Sequence, residues 1–393
     1  MKFLIGCGAE VNAQDEHGQT PLLVCCIHGY SHLASVLIES SIAGHLPEPI
    51  EIDVADHRGL TALNCAAIKG DLNLVRTLVS RGSADVNQTS PKGCTPLMYA
   101  GRGGYHEVVR YLLEKRASAL KQDNAGGTVF HHCIEKGQIA VLEVMLEHGV
   151  DVYSSIEIAD NAGRTALFEA AECQVEDESE EEEEEKKEEG DGGDGEQKKD
   201  GEKKQKESKM TEKKICDMIR ILTKKKSRSL DGFGAKVNVI NYNGQTPLFA
   251  AVKVGNFEVV KTLVECGAQV DLNRGELMKE DEQEEGVTED EYDSVHERYF
   301  MEAFMNCMTP LHLASVLGYD EMAIYLIEHG ADVNLQSNYK KYNALHLAVL
   351  SNKPEMLIEL LTKSRADPLI EDSQGRTLLD MVYQYSPSYV DSF

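Results

Sequence analysis

A few short stretches carry side chains of the types that do chemistry. His131-His132-Cys133 is the densest group of metal-type ligands in the chain. Zinc asks for four ligands at close spacing, and no Cys-x-x-Cys pair stands elsewhere to complete such a set. Gly101-Arg102-Gly103-Gly104 has the glycine density of a phosphate loop but lacks the Lys-Ser/Thr that would follow. Asp281-Glu282-Gln283-Glu284-Glu285-Gly286 begins like a calcium loop, yet Gln283 stands at its third position and Tyr292 at its twelfth, where Glu is expected. A solvated acidic loop is the simpler reading. Leu4-Ile5-Gly6-Cys7 has the form of a bacterial lipoprotein box, but the apolar stretch before it is far too short for a signal peptide. There is no Gly-x-Ser-x-Gly elbow and no kinase signature set. The residues therefore point to no catalytic constellation, no metal and no cofactor.

Composition narrows the partners. The formal net charge is −27 over 393 residues, a field that repels nucleic acid phosphates and anionic lipid heads. The expectation is protein partners with basic segments, no nucleic acid and no membrane insertion. Ten cysteines in a chain of this length do not make a disulfide framework. Cys25, Cys26, Cys65, Cys133 and Cys216 sit in apolar helical segments, as small buried hydrophobes do. An intracellular, reducing setting follows as an expectation, in cytosol or nucleus.

The elements that position these residues repeat. The phrase Gly-x-Thr-Pro/Ala-Leu, an Ala/Cys-rich stretch, Gly, an apolar-periodic stretch and Gly-Ala-x-Val-Asn recurs from Gly18-Gln19-Thr20-Pro21-Leu22 to Gly375-Arg376-Thr377-Leu378-Leu379. Thr20 is placed to cap a helix that starts at Pro21, where the missing N–H costs nothing. Small pairs such as Ala66-Ala67 let that helix approach its neighbours closely. Gly29, Gly70, Gly137, Gly255 and Gly318 end it where a positive φ is needed. Leu72, Leu74, Val75, Leu78 and Val79 show the helical spacing of the second helix, and Asp-x-x-Gly forms a tight turn into the next unit.

This unit resembles the ankyrin repeat, with its roughly 33-residue period and Thr-Pro-Leu-His-x-Ala signature. Thr309-Pro310-Leu311-His312-Leu313-Ala314 matches the signature in full. About eight full copies, with partial copies at each end, cover roughly four-fifths of the chain. The resemblance implies an all-α solenoid of helix–turn–helix units joined by β-turn or hairpin loops. It also places His131 at the position whose side chain hydrogen-bonds neighbouring turns, which explains His131 without a metal. Departures are Val129 for Pro, Cys307 and Lys341 where the turn Gly belongs, and Asn352 for the inter-helix Gly. Displaced turns are expected at such sites, with Asn tolerated because it accepts the left-handed conformation.

Repeats are expected over 1–173, 212–271 and 307–384, with insertions at 174–211 and 272–306 and a tail at 385–393. The first insertion runs from Glu/Asp/Gly-rich to net basic, cannot bury enough apolar surface to fold, and is expected to be disordered. The second is acidic to about Asp293; beyond it Val295, Tyr299, Phe300, Ala303 and Phe304 are spaced for a helix docking on the solenoid. A shorter lengthening, Ser40 to Asp53, follows the first unit. Phe3 to Gly8 reads as the end of a second helix whose first helix is absent, so further repeats are expected to precede it in a longer protein.

In ankyrin-like stacks the turn tips and the polar side of the first helices line a concave face free of core duty. The residues placed there are Glu16, His17, Gln19, His28, His57, Arg58, Lys69, Lys92, Arg102, Asn124, Glu135, Lys136, Arg164, Glu172, Tyr242, Gln245, Lys253, Tyr339 and Lys340. The function so implied is a non-catalytic scaffold or adaptor binding proteins through this face. Two alternatives stay open. One is the regulatory or substrate-docking arm of a larger enzyme, such as a ubiquitin-ligase adaptor, or of an ion channel. The other is a calcium-responsive switch resting on Asp281 to Glu291.

Overall fold

The computed structural model describes residues 9–46, 48–149, 154–174, 210–224, 234–272, 308–337 and 340–385. Among them there is no strand, and seventeen helices carry the architecture. The chain is an all-α repeat solenoid. Seven units present a pair of helices: α1 (Pro21–His28) with α2 (Ser31–Ile42), α3 (Ala62–Lys69) with α4 (Leu72–Ser80), α5 (Pro96–Arg102) with α6 (His106–Glu114), and α7 (Val129–Glu135) with α8 (Ile139–Glu147), then α11 (Pro247–Val254) with α12 (Phe257–Glu265), α13 (Pro310–Leu317) with α14 (Asp320–Glu328), and α15 (Ala344–Leu350) with α16 (Pro354–Lys363). An eighth pair, α9 (Ala166–Glu172) and α10 (Glu212–Thr223), is separated in sequence by a long segment, and α17 (Leu378–Tyr385) opens the last unit.

First helices stack on first helices, from α1 through α3, α5, α7, α9, α11, α13 and α15 to α17. Second helices pack likewise from α2 to α12, and α14 packs on α16. Helix α10 packs on α9, α8 and α12, so the residues on either side of the long segment complete one unit. Helices α11 and α13 are also neighbours, and the Asp332 N–H donates to Asp271 Oδ2 at 2.9 Å across the second interruption. The broken unit expected at Phe3–Gly8, the insertion expected at 174–211, the calcium-like loop and the docking helix lie mainly or wholly outside the described residues.

Local chemistry explains each unit. Thr20 Oγ1 accepts the Leu23 N–H at 3.3 Å, and Thr61, Thr95, Thr165, Thr246 and Thr309 cap their helices in the same way. Ala66, Ala67, Ala100, Ala170, Ala171 and Ala314 are fully buried between first helices, which is why those helices come so close. Gly70 shows how tight this is: at φ +69° its Cα faces Tyr105, and a Cβ would lie 2.2 Å from the ring. Asn352 takes the same left-handed conformation at φ +54°.

The turns share one design. Asp15, Asp56, Asp123, Asp160, Asn241 and Asp372 each accept two backbone N–H groups of their own turn through one side-chain oxygen. The displaced turn expected at Lys341 is present. Lys340 and Lys341 both adopt positive φ, and the Ser337 N–H reaches the Tyr342 carbonyl, one residue farther than Asp15 reaches to Gln19.

Leu311 is 1% exposed on α13 between α11 and α15. Leu311→Ala should cost about 2–5 kcal/mol in chemical denaturation, through lost burial and a residual cavity. Hydrogen exchange should rise chiefly in α11 to α16, because contacts in a solenoid run between nearest neighbours. An unchanged denaturation profile would contradict this packing.

Candidate protein-binding face

Successive turns are tied tip to tip by main-chain hydrogen bonds. The His57 N–H donates to the His17 carbonyl at 2.9 Å, Asn124 to Lys92 at 3.0 Å, Asn161 to Ala125 at 2.9 Å, Tyr242 to Ala162 at 3.2 Å, and Ser373 to Lys340 at 2.9 Å. Pro91 has no N–H to give to the turn before it and instead lies against Gly59, where a Cβ would be 2.2 Å from its ring. The result is a row in which His17, His57, Arg58, Lys92, Asn124 and Tyr242 stand at successive tips.

The closing Val-Asn phrase supplies a second strap that sequence reading missed. Asn12, Asn87, Asn238 and Asn334 each accept, through Oδ1, a backbone N–H of the following unit, from Glu51, Ser118, Gln269 and Asp367 at 2.7–3.0 Å. Glu157 does the same for Lys236 at 2.8 Å, across the long segment in that unit. The recurrence of Asn at this place was the available signal.

The proposed face residues divide. Glu16, His17, His28, His57, Lys69, Lys92, Asn124 and Lys253 are exposed, and Tyr242 is 72% exposed. Gln19, Lys136 and Lys340 are half-buried, and Tyr339 lies outside the described residues. Asn124 also donates through Nδ2 to the Pro91 carbonyl of the preceding turn at 2.8 Å, and several others likewise hold neighbours in place. Arg58 Nε lies 3.1 Å from Asp56 Oδ2, and the Asp56 side chain is only 1% exposed. Arg164 forks onto Asp160 at 2.9 and 2.7 Å and reaches Glu172 at 3.3 Å. Burial alone would raise the Asp160 carboxyl, but the hydrogen bonds from Arg164 outweigh it and hold it below its ordinary value. Arg102 pairs with Glu135 of the next unit at 2.8 Å, and Gln245 Oε1 accepts from Asn241 at 3.3 Å.

His131 is engaged by turns. The Thr128 N–H donates to His131 Nδ1 at 3.0 Å, so Nε2 carries the proton and donates to the Arg164 carbonyl at 3.1 Å. His312 repeats this with Thr309 and Leu335, and burial lowers its pKa to about 4. Helix α5 ends at Arg102 and Gly104 has φ +75°, so the Gly-rich run is an inter-helix turn.

Midway along the face, Glu169 on α9 is a carboxylate whose Oε2 is buried without a hydrogen-bond partner. Burial, helped by the nearby Asp160, Glu135 and Glu172 carboxylates, raises its pKa to about 7 against the pull of Arg164. No helix among the described residues is long and apolar enough to cross a membrane.

A folded pKa above the unfolded one means that Glu169 contributes stability below about pH 4.5 and loses it as pH rises through about 7. Glu169→Gln should therefore match the parent near pH 4 and exceed it at pH 8, by on the order of 2–3 kcal/mol. Denaturation across that range checks this; a variant destabilised at pH 8 would contradict it.

Comparison with known proteins agrees with the geometry. The family profile described as "Ankyrin repeats (3 copies)" matches residues 1–90, 42–123, 81–156 and 291–380, and the profile "Ankyrin repeat" matches 243–274. The mouse B-cell lymphoma 3 protein homolog is 28% identical over 152 residues, which are 38% of this chain and 33% of that protein. Palmitoyltransferase AKR1 of Lachancea kluyveri is 30% identical over 166 residues, 41% of this chain and 22% of that protein. The match thus spans a third or less of either relative. The crystal structure of the ankyrin repeat domain of Bcl-3 superposes with a TM-score of 0.52 at 20% identity, covering 78% of this chain and 99% of that domain. With repeat matches over more than half its length and this architecture, the chain belongs to the ankyrin-repeat family.

Proposed function

We propose that this chain is a non-catalytic scaffold or adaptor that binds partner proteins along the row of turn tips and the adjoining ends of the first helices. The observation that carries the reading is the row of turn tips, which holds His57, Lys92, Asn124 and Tyr242 at fixed spacing. Main-chain hydrogen bonds tie the tips at His17–His57, Lys92–Asn124, Ala125–Asn161 and Ala162–Tyr242, and the Gly59–Pro91 contact joins the second to the third. Side chains presented on a backbone already ordered by the fold lose little further entropy on binding. An exposed Tyr and neighbouring cations supply the side-chain types that dominate interface energies.

Basic segments are the partner chemistry we favour. The chain carries a net charge of −27, and Glu169 Oε2 is buried without a hydrogen-bond partner near the Asp160, Glu135 and Glu172 carboxylates, with Arg164 the cation that offsets them. The described cysteines are free thiols, which supports a reducing compartment, cytosol or nucleus. A second reading has one support. A relative named as a palmitoyltransferase aligns over only 22% of its length, as a docking arm on a larger enzyme would.

Replacing His57, Lys92 and Tyr242 together with Ala tests the face while sparing Arg58, whose partner is buried. The melting temperature should stay within about 3 °C of the parent, since exposed side chains contribute little to folding. Capture of partners from cell extract should drop at least tenfold. Retention of every partner by a normally folded variant would overturn the reading.

A further inference from the structure

The sequence groups His131, His132 and Cys133, but the fold separates them. His131 is bound into the turns, and Cys133 is fully buried between helices. His132 instead points toward two residues far away in sequence. Its Nε2 lies 2.9 Å from Asp123 Oδ2, and Cys94 Sγ lies 4.0 Å from the same oxygen. The three ligand atoms all lie within 4.8 Å of one another. They come from three places: Cys94 from the turn before α5, Asp123 from the next turn, and His132 from α7.

We propose that Cys94, Asp123 and His132 form a three-ligand site for a divalent transition metal of the zinc class. A tetrahedral zinc with Zn–S of about 2.3 Å and Zn–N or Zn–O of about 2.0–2.1 Å holds its ligand atoms roughly 3.3–3.7 Å apart. The observed 2.9 and 4.0 Å bracket that spacing, so small side-chain rotations complete it. Thiolate and imidazole favour zinc or its congeners over calcium or magnesium, which take oxygen ligands.

The site is held from behind. Asp123 Oδ1 accepts the Ala125 and Gly127 N–H groups at 2.9 Å each, which fixes the carboxylate with Oδ2 facing the other ligands. Glu135 Oε2 stands 4.0 Å from His132 Nδ1, on the side of the imidazole away from the metal, where a carboxylate orients a ligating ring. Side-chain exposure is 12% for His132 and 10% for Asp123, and Cys94 is 7% exposed, so the cluster is sheltered yet reachable. Binding replaces the Cys94 thiol proton with the metal, one proton leaving to solvent. The imidazole moves its proton from Nε2 to Nδ1, toward Glu135. Three protein ligands leave the fourth position to water, or to a donor brought by a bound protein.

Cobalt(II) added to the full chain under a non-thiol reductant tests this. One equivalent should give a thiolate-to-cobalt charge-transfer band with tetrahedral d–d bands, and zinc should bleach both. Cys94→Ser should abolish the charge-transfer band. His132→Gln and Asp123→Asn should weaken cobalt binding at least tenfold. Asn241 performs the Asp123 turn role elsewhere in the chain, so Asp123→Asn is expected to fold. Cys173→Ser and Cys266→Ser, at the half-buried cysteines elsewhere, should leave the spectrum unchanged. No charge-transfer band in the parent, a band that survives Cys94→Ser, or full cobalt affinity in both folded His132→Gln and Asp123→Asn variants would overturn the assignment.

Discussion

A unit of two short helices cannot satisfy its own connecting backbone, and this chain resolves the problem by sharing. The turn Asp or Asn accepts two N–H groups within its own turn, the tip carbonyl accepts one from the next turn, and the closing Asn accepts another from the next unit. Many of these bonds are solvent-exposed and each contributes about 0.5–1.5 kcal/mol net, so it is their recurrence in unit after unit that counts. Hydrogen bonding therefore sets the register between units, and apolar contact between Ala-rich first helices then closes the core. The interruptions fit the same logic: Glu157 to Lys236 and Asp271 to Asp332 restore the strap where the sequence departs from its period.

That arrangement explains what could be read in advance. Thr20-Pro21, Gly70 and the helical periodicity of Leu74, Val75 and Leu78 act within a few residues, so their roles are legible locally. Asn352 in place of Gly was also readable, since its conformation depends on residue type. The ion pairs were not. Arg58 and Arg164 look like free recognition side chains, and only the structure shows each turned back onto a turn carboxylate, with Asp56 nearly inaccessible to solvent. The Cys94–Asp123–His132 cluster was hidden for the same reason. Its members are 29 and 9 residues apart, joined by stacking of units rather than by spacing in a motif.

Function follows from the division of labour. Side chains pointing into the stack are small and apolar, and turn carboxylates hold the backbone. Residues at the tips, such as Lys92 and Tyr242, are left to vary without disturbing either.

The most direct test of the account compares two faces. A photo-crosslinking residue placed at Asn124, on a turn tip, is set against one at Glu107, exposed on α6. In cell extract the first should form discrete covalent adducts with partner proteins, and the second should form none. Adducts from Glu107 alone, or indistinguishable adducts from both positions, would contradict a binding face built from turn tips and first helices.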